Sequence, residues 1–301
     1  MSTTASASEY SVREAPVRRL TGRELQRILV ATAGASSSRG ALVAASALAA
    51  RHGAQIEVVS IFQPRIPYPA PRDGGFPAIP YSDRDPARRQ VTLVRQQLAA
   101  LGMNADDPPF ALVAGQPAHI INKLARAGRA DLIVIGLGRE NAAERGLGDR
   151  GSMAIAGAVD RPLLAVERNF DGNVDDVMIA VGVDETAVAA FEVAQELFPA
   201  PRRLHLVHVT EMVPNADRSI QRQIAAIRNS LTKWRPARVE TWLLNGDPID
   251  QLLTFSREHL VDLVVGGMHG HSFAERAIMR NAALWLMALG DRSVLLVPMP
   301  P

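Results

Sequence analysis

The sequence contains no cysteine. That excludes disulfides, thiolate-bound zinc, iron–sulfur clusters and a thiol nucleophile. Lysine is scarce, with Lys123 and Lys233 its only positions. Long apolar runs are missing as well. The longest mostly apolar stretch, ALVAASALAA from Ala41 to Ala50, is too short to span a bilayer. The opening residues MSTTASASEY lack the basic and apolar regions of a signal peptide, so a cytoplasmic protein away from membranes is expected. The net charge is only +2, and five arginines against three glutamates in residues 1–27 account for all of it. A nucleic-acid binder would carry a clustered basic face, and none is legible. Of seven histidines only His269 and His271 stand close together. No carboxylate at ligand spacing completes a metal set with them.

What is present is a repeat. At 301 residues the chain has room for two domains, and self-similarity supports that division. RADLIVIG ending at Gly136 matches VDLVVGG ending at Gly267. GQPAHIINKLARAG from Gly115 matches GDPIDQLLTFSREH from Gly246, and DRPLLAVE from Asp160 matches DRSVLLVP from Asp291. Each of these pairs stands 131 residues apart. Upstream, RILVATAGASSSRGALVAASALA resembles VMIAVGVDETAVAAFEVAQELF. IEVVSIF from Ile56 resembles LHLVHVT from Leu204, 148 residues on. The first repeat therefore holds 17 residues that the second lacks, and they fall in the proline-rich run from Gln63 to Pro86.

Each repeat reads as five strands separated by four helices. The strands are short, rich in Val, Ile and Leu, and do not alternate, which suits parallel strands buried on both faces. The segments between them carry apolar residues at helical spacing, as in Leu252, Leu253, Phe255 and Leu260. The expected class is α/β: two tandem doubly wound domains, each a five-stranded, mostly parallel sheet flanked by helices. The expected bounds are a disordered tail over 1–25, a first domain over 26–167 with its insertion at 63–86, a linker over 168–176, and a second domain over 177–299.

Units of this size that open with IAVGVD and close with DLVVGGMHG…SVLLV resemble the universal stress proteins, here in tandem and over nearly everything from Arg27 to Pro298. The resemblance implies an adenine nucleotide α-hydrolase-like fold. It also implies ATP, with magnesium, as the ligand of those members that bind one. Their glycine pattern is Gly, two residues, Gly, nine residues, then Gly with Ser or Thr, together with an Asp after the first strand. Glycines let backbone N–H groups approach phosphate oxygens, and a helix N-terminus adds partial positive charge. Carried onto this chain, the second-half site is Asp184, Val209, Gly267, Gly270, Arg280 and Asn281. The spacing holds, but Arg280 and Asn281 replace the closing Gly and Ser. The arginine either forks onto phosphate oxygens or fills the pocket. The first half departs further. Ala33 stands in place of the Asp, Arg139 in place of the second glycine, and Gly151 and Ser152 arrive two residues late. Its candidate site is Gly136, Gly151 and Ser152.

Plainer roles compete with these. Asp184 suits a helix cap as well as a ligand contact. Gly246-Asp247-Pro248 reads as a loop, an N-cap and an N1 proline. Ser272 and Glu275 fit a capping box, and His269 and His271 read as exposed loop residues. No nucleophile has a base and an orienting acid beside it, and an enzyme that hydrolyses or transfers phosphate would need a metal-binding carboxylate and an activated water that the sequence does not place, so no enzyme is expected. Two readings remain: a cytoplasmic stress-response protein binding ATP or a related adenine nucleotide as a regulatory ligand in its second domain, or an interaction module whose sites have decayed. The insertion is either a lid over the first cleft, a proline-rich surface for a partner, or a floppy loop. The last strands, PLLAV and SVLLV, are edges that seek a partner. Paired with each other they would make a pseudo-dimer within one chain, and two chains could associate further.

Overall fold

The computed structural model describes residues 24–63, 76–79, 81–103, 110–137, 145–182, 185–210, 218–268 and 292–298. The first half runs β1 (Arg27–Ala31), α1 (Arg39–His52), β2 (Gln55–Phe62), α2 (Arg84–Ala100), β3 (Phe110–Ala114), α3 (Pro117–Ala127), β4 (Leu132–Gly136), α4 (Arg145–Ala158) and β5 (Leu163–Val166). The second runs β6 (Asp176–Ala180), α5 (Thr186–Leu197), β7 (Arg203–Thr210), α6 (Arg218–Asn229), β8 (Arg238–Asn245), α7 (Pro248–Glu258), β9 (Leu263–Met268) and β10 (Ser293–Pro298). The helix expected between β9 and β10, with the capping box and both loop histidines, lies outside the described residues. So do residues 64–75 and 80 of the insertion.

Among the described residues ten strands form one sheet, in the order β3-β2-β1-β4-β5-β10-β9-β6-β7-β8. Every pairing is parallel except the central one, where Val294, Leu295 and Leu296 of β10 face Ala165, Leu164 and Leu163 of β5 in antiparallel register. Each half thus closes its last strand on the other's, and neither is left as an open edge. The central strands are buried except for the last residues of β4 and β10, as the non-alternating apolar runs require. At the rim, β8 alternates, and Leu243 is exposed there.

Helices cover both faces. One apolar core joins α1, α2, α5 and α6 to the sheet, and a second joins α3, α4 and α7 to the opposite face. Each core runs through residues of both halves, including Val134 and Val265 in the first and Ile133 and Val264 in the second. Local chemistry fixes the helix ends. Asp247 accepts hydrogen bonds from the Ile249 and Asp250 N–H groups, and Pro248 takes the first helical position, as GDP predicts. Gly246 supplies the positive φ of 135° needed before that cap.

The strand register reproduces the repeat. Ile28 faces Leu132 and Val177 faces Leu263. Ile133 faces Leu163 and Val264 faces Val294, so both partners stand 131 residues on. The Asp that precedes both Leu-led strands, β4 and β9, has a structural task. Asp131 Oδ2 accepts from the N–H groups of Gln26 and Arg27, at 3.0 and 2.9 Å. Asp262 Oδ2 accepts from those of Asp175 and Asp176, both at 2.9 Å. Each carboxylate clamps the start of its half's first strand to the fourth.

Candidate functional site

In an open α/β sheet a ligand cleft forms beyond the carboxyl ends of the strands. The two halves differ there. In the first, α2 is stitched across the ends of β1 and β2. Gln97 Nε2 donates to the Ala35 carbonyl at 2.9 Å, and Thr32 Oγ1 donates to Gln97 Oε1 at 3.1 Å. Gln90 Nε2 donates to Ser60 Oγ at 2.7 Å and to the Ile61 carbonyl at 3.1 Å. Between these two glutamines, Leu93 and Val94 press on Gly34, where a Cβ would stand 2.8 Å from the Leu93 Cβ and 2.9 Å from the Val94 nitrogen. Gly34 has φ +75°, which suits a residue without a side chain. The turn after β1 is therefore occupied by the protein's own side chains. Strand register also corrects one count. Thr32 and Val181 occupy equivalent places, each donating its N–H to the second strand, at Val59 and Val207. Counting on from them brings Ala35, not Ala33, to the count of Asp184.

The second half presents a different edge. His208 replaces the small Ser60, and its Nδ1 lies 2.8 Å from the Val181 carbonyl. A Cβ on Gly267 would stand 2.4 Å from the Thr186 Cβ, 2.5 Å from its carbonyl oxygen and 2.6 Å from its carbonyl carbon. The bare Cα of Gly267 is thus what lets the N-terminus of α5 seat on the end of β9. The first half has a related contact, in which Gly40 brings the start of α1 against the Glu167 carbonyl, at 2.0 Å from a would-be Cβ. The N-cap of α5 is Glu185, whose side chain makes no capping bond, so the cap that the sequence allows at Asp184 falls one residue later. Gln223 Oε1 on α6 is buried and has no partner among the described residues.

Of the predicted site residues, Val209 and Gly267 both lie at carboxyl ends, of β7 and β9. Val209 packs against the core on the α7 side. Asp184, Gly270, Arg280 and Asn281 lie outside the described residues. In the first half Gly136 ends β4, beside Val166 in register. Gly151 and Ser152 sit inside α4, half-buried, and a Cβ on Gly151 would meet nothing within 4 Å. Phe76 of the insertion returns onto α3, where Lys123 Nζ lies 4.5 Å from its ring centroid.

Sequence reasoning missed a polar cluster at the opposite, amino end of the second half. His205 on β7 is fully buried. Glu240 lies 3.2 Å from its Nδ1 and Asp176 3.8 Å from its Nε2. The rings of Phe255, His259 and Trp242 surround it at centroid distances of 5.4, 5.3 and 6.5 Å. Burial pushes the imidazole below its ordinary pKa, His259 and Arg203 add to this, and Glu240 and Asp176 oppose it. The position is equivalent to Glu57 of β2, so only the repeat alignment signals it. Asp176 itself pairs with Arg203. A polar depression of about 360 Å³ lies elsewhere, over α5 and α6, lined by Glu192, Gln195, Asn229 and Thr232 among others. Gln195 there is spent as a brace: its Oε1 accepts from the N–H groups of Thr232, Lys233 and Trp234, and its Nε2 donates to the Ser230 carbonyl. Among the described residues no cluster of His, Asp and Glu is disposed to hold a metal, and no helix is long and apolar enough to cross a membrane.

The sequence pattern of the Universal stress protein family matches residues 24–167. No curated protein matches the chain in sequence. Among solved structures, a universal stress protein from Archaeoglobus fulgidus DSM 4304 is similar over 90% of this chain and 98% of its own, at 16% identity and a TM-score of 0.62. A functionally unknown protein from Pseudomonas aeruginosa PAO1 is similar over 91% of this chain and 92% of its own, at 13% identity and a TM-score of 0.58. At such identities the likeness is one of fold, and it extends through both halves.

Proposed function

This chain belongs to the universal stress protein family through residues 24–167, and from that premise we propose that it binds ATP or a related adenine nucleotide as a regulatory ligand in its second domain, residues 177–299, during a stress response. The supporting observation is the contrast between the two carboxyl edges. In the first half Gln97, Leu93 and Val94 fill the turn after β1, and Gln90 holds the end of β2. In the second, His208 Nδ1 meets the Val181 carbonyl, three residues before Asp184 in sequence, and α5 begins against the end of β9. Phosphate oxygens are held by backbone N–H groups at such a helix start, and Asp184 would address the nucleoside. Arg280 would pair with phosphate as a planar fork in place of a glycine contact. Gly267 is needed for packing whether or not a nucleotide binds, so it favours neither side.

The test is calorimetric titration of Mg-ATP, and separately of ATP and cyclic AMP without magnesium, into nucleotide-stripped protein. The reading expects micromolar ATP affinity and a loss of about tenfold, roughly 1.4 kcal/mol, in Asp184→Ala. Absence of binding up to millimolar ATP would overturn it in favour of an interaction module with decayed sites.

A further inference from the structure

The strand at the second half's rim, β8, is eight residues long, and among the described residues it has a neighbour, β7, on one side only. In a parallel ladder, a residue whose N–H bonds inward also turns its carbonyl inward, and the next residue turns both outward. The Arg238 N–H donates to the Arg202 carbonyl at 3.1 Å, and the Gly246 N–H to the Thr210 carbonyl at 3.0 Å. The even positions of β8 therefore bond to β7, and Val239, Thr241, Leu243 and Asn245 turn their backbone groups outward. Edges of this kind are ordinarily blunted by brevity, charge or proline. At the far edge of the sheet β3 has only five residues. The outward row of β8 carries neither charge nor proline, and Leu243 in it is 52% exposed. The small net charge of the chain hides a local excess beside this edge. From Arg218 to Val239, through α6 and into β8, there are six basic residues and no acidic one. All six are exposed. Lys233 pairs with Glu196 and Arg238 with Glu240. Arg218, Arg222, Arg228 and Arg235 have no acidic partner among the described residues. Arg228 reaches the edge itself, where its Nη2 donates to Thr241 Oγ1 at 3.0 Å. Val239 packs toward the core that holds α6, so Thr241 and Leu243 share that face.

We propose that the outer edge of β8 is a docking edge for an extended, acidic segment of another polypeptide, which joins the sheet as a further strand. Its backbone groups pair with those of Val239, Thr241 and Leu243. On the α6 side it brings a carboxylate to Arg228 and an apolar side chain onto Leu243. A second copy of this chain fits less well. Pairing β8 with itself about Thr241 sets the two Arg228 side chains together, and pairing about Glu240 sets that glutamate against itself. A nucleic acid would use the arginines but not the backbone row or Leu243. The inference is independent of the nucleotide reading.

The experiment selects binders to the full chain from a display library of random peptides of about ten residues, long enough to match β8. The selected peptides should be rich in Asp, Glu and β-branched residues. When bound, they should slow amide hydrogen exchange at Val239, Thr241 and Leu243, whereas Glu240, Trp242 and Leu244 are already protected by β7. Thr241→Pro removes an outward N–H and leaves the β7 ladder whole, so it should weaken these peptides about tenfold. Thr241→Val keeps that N–H and should stay within about threefold of wild type. Arg228→Glu, an exposed change, should weaken them about tenfold, and it carries the test if thermal unfolding shows that the proline variant does not fold. Selection without enrichment of acidic sequences would overturn the proposal, as would affinity unchanged in both Thr241→Pro and Arg228→Glu. A dimer in sedimentation that Thr241→Pro makes monomeric would overturn it in favour of a second copy. Displacement of the peptides by a single-stranded oligonucleotide that binds Thr241→Pro as well as wild type would overturn it in favour of a nucleic-acid surface.

Discussion

Gly267 and Gly151 look alike in sequence, each a glycine in a nucleotide-loop pattern, and the structure separates them. Replacing Gly267 with alanine puts a Cβ 2.4 to 2.6 Å from the Cβ, carbonyl oxygen and carbonyl carbon of Thr186. Two of those atoms are backbone, so no rotamer relieves the contact and the start of α5 must move. Overpacking of this kind costs about 1–3 kcal/mol. Replacing Gly151 puts a Cβ into open space within a regular helix. There alanine is favoured over glycine by about 0.5–1 kcal/mol. The two single substitutions should therefore move stability in opposite directions. Urea unfolding should show a lower midpoint for Gly267→Ala and a higher one for Gly151→Ala, at unchanged slope. In thermal unfolding the shifts should be about 2 °C per kcal/mol for a chain of this size. Thr186→Ala leaves all three contacting atoms in place, so the double variant Gly267→Ala with Thr186→Ala should regain nothing. A neutral Gly267→Ala, or full rescue by Thr186→Ala, would refute the steric account. Lost stability in Gly151→Ala would show that this glycine is needed for its backbone after all.

Asp131→Ala and Asp262→Ala each free two backbone N–H groups from a carboxylate. Each should lower stability by about 1.5–3 kcal/mol in chemical denaturation, the more buried Asp131 by the larger amount. Val134→Ala, in the first half, should lower the midpoint seen by tryptophan fluorescence in the second, because Trp234 and Val134 lie in one core; two separate transitions would contradict this. His205 has a folded-state pKa below its unfolded value. The stability it contributes is present above the unfolded pKa, near 6.5, and is lost as pH falls toward the folded one. His205→Leu should flatten the stability–pH profile below about pH 6.5, and an unchanged slope there would argue against the assignment.

The repeat was legible because strand registers inherit sequence offsets: residues paired between β4 and β5 are paired 131 further on between β9 and β10. The Asp247 cap was legible because Gly-Asp-Pro encodes a turn, a side-chain acceptor and a first-turn proline at adjacent positions. The cleft residues were harder. A glycine that admits phosphate and one that admits a helix end are the same residue in a sequence, and only the Thr186 contact tells what Gly267 admits. Gly151 and Ser152 matched a motif by type while lying inside α4, since a pattern of types carries no helix boundary. His208 drew no notice because its partner, Val181, is 27 residues away across the sheet. His205 was hidden for the same reason, its neighbours coming from β6, β8 and α7.

The antiparallel junction of β5 with β10 has an evolutionary consequence. Two identical subunits joined at such an edge must accept every substitution twice, once in each copy. Here the joint is internal, so one half can change while the other keeps its residue. Serine at 60 beside histidine at 208, and glutamate at 57 beside histidine at 205, are pairs that a symmetric assembly of identical chains could not hold. Joining the two halves in one chain leaves each free to differ at equivalent positions, as residues 60 and 208, and 57 and 205, do.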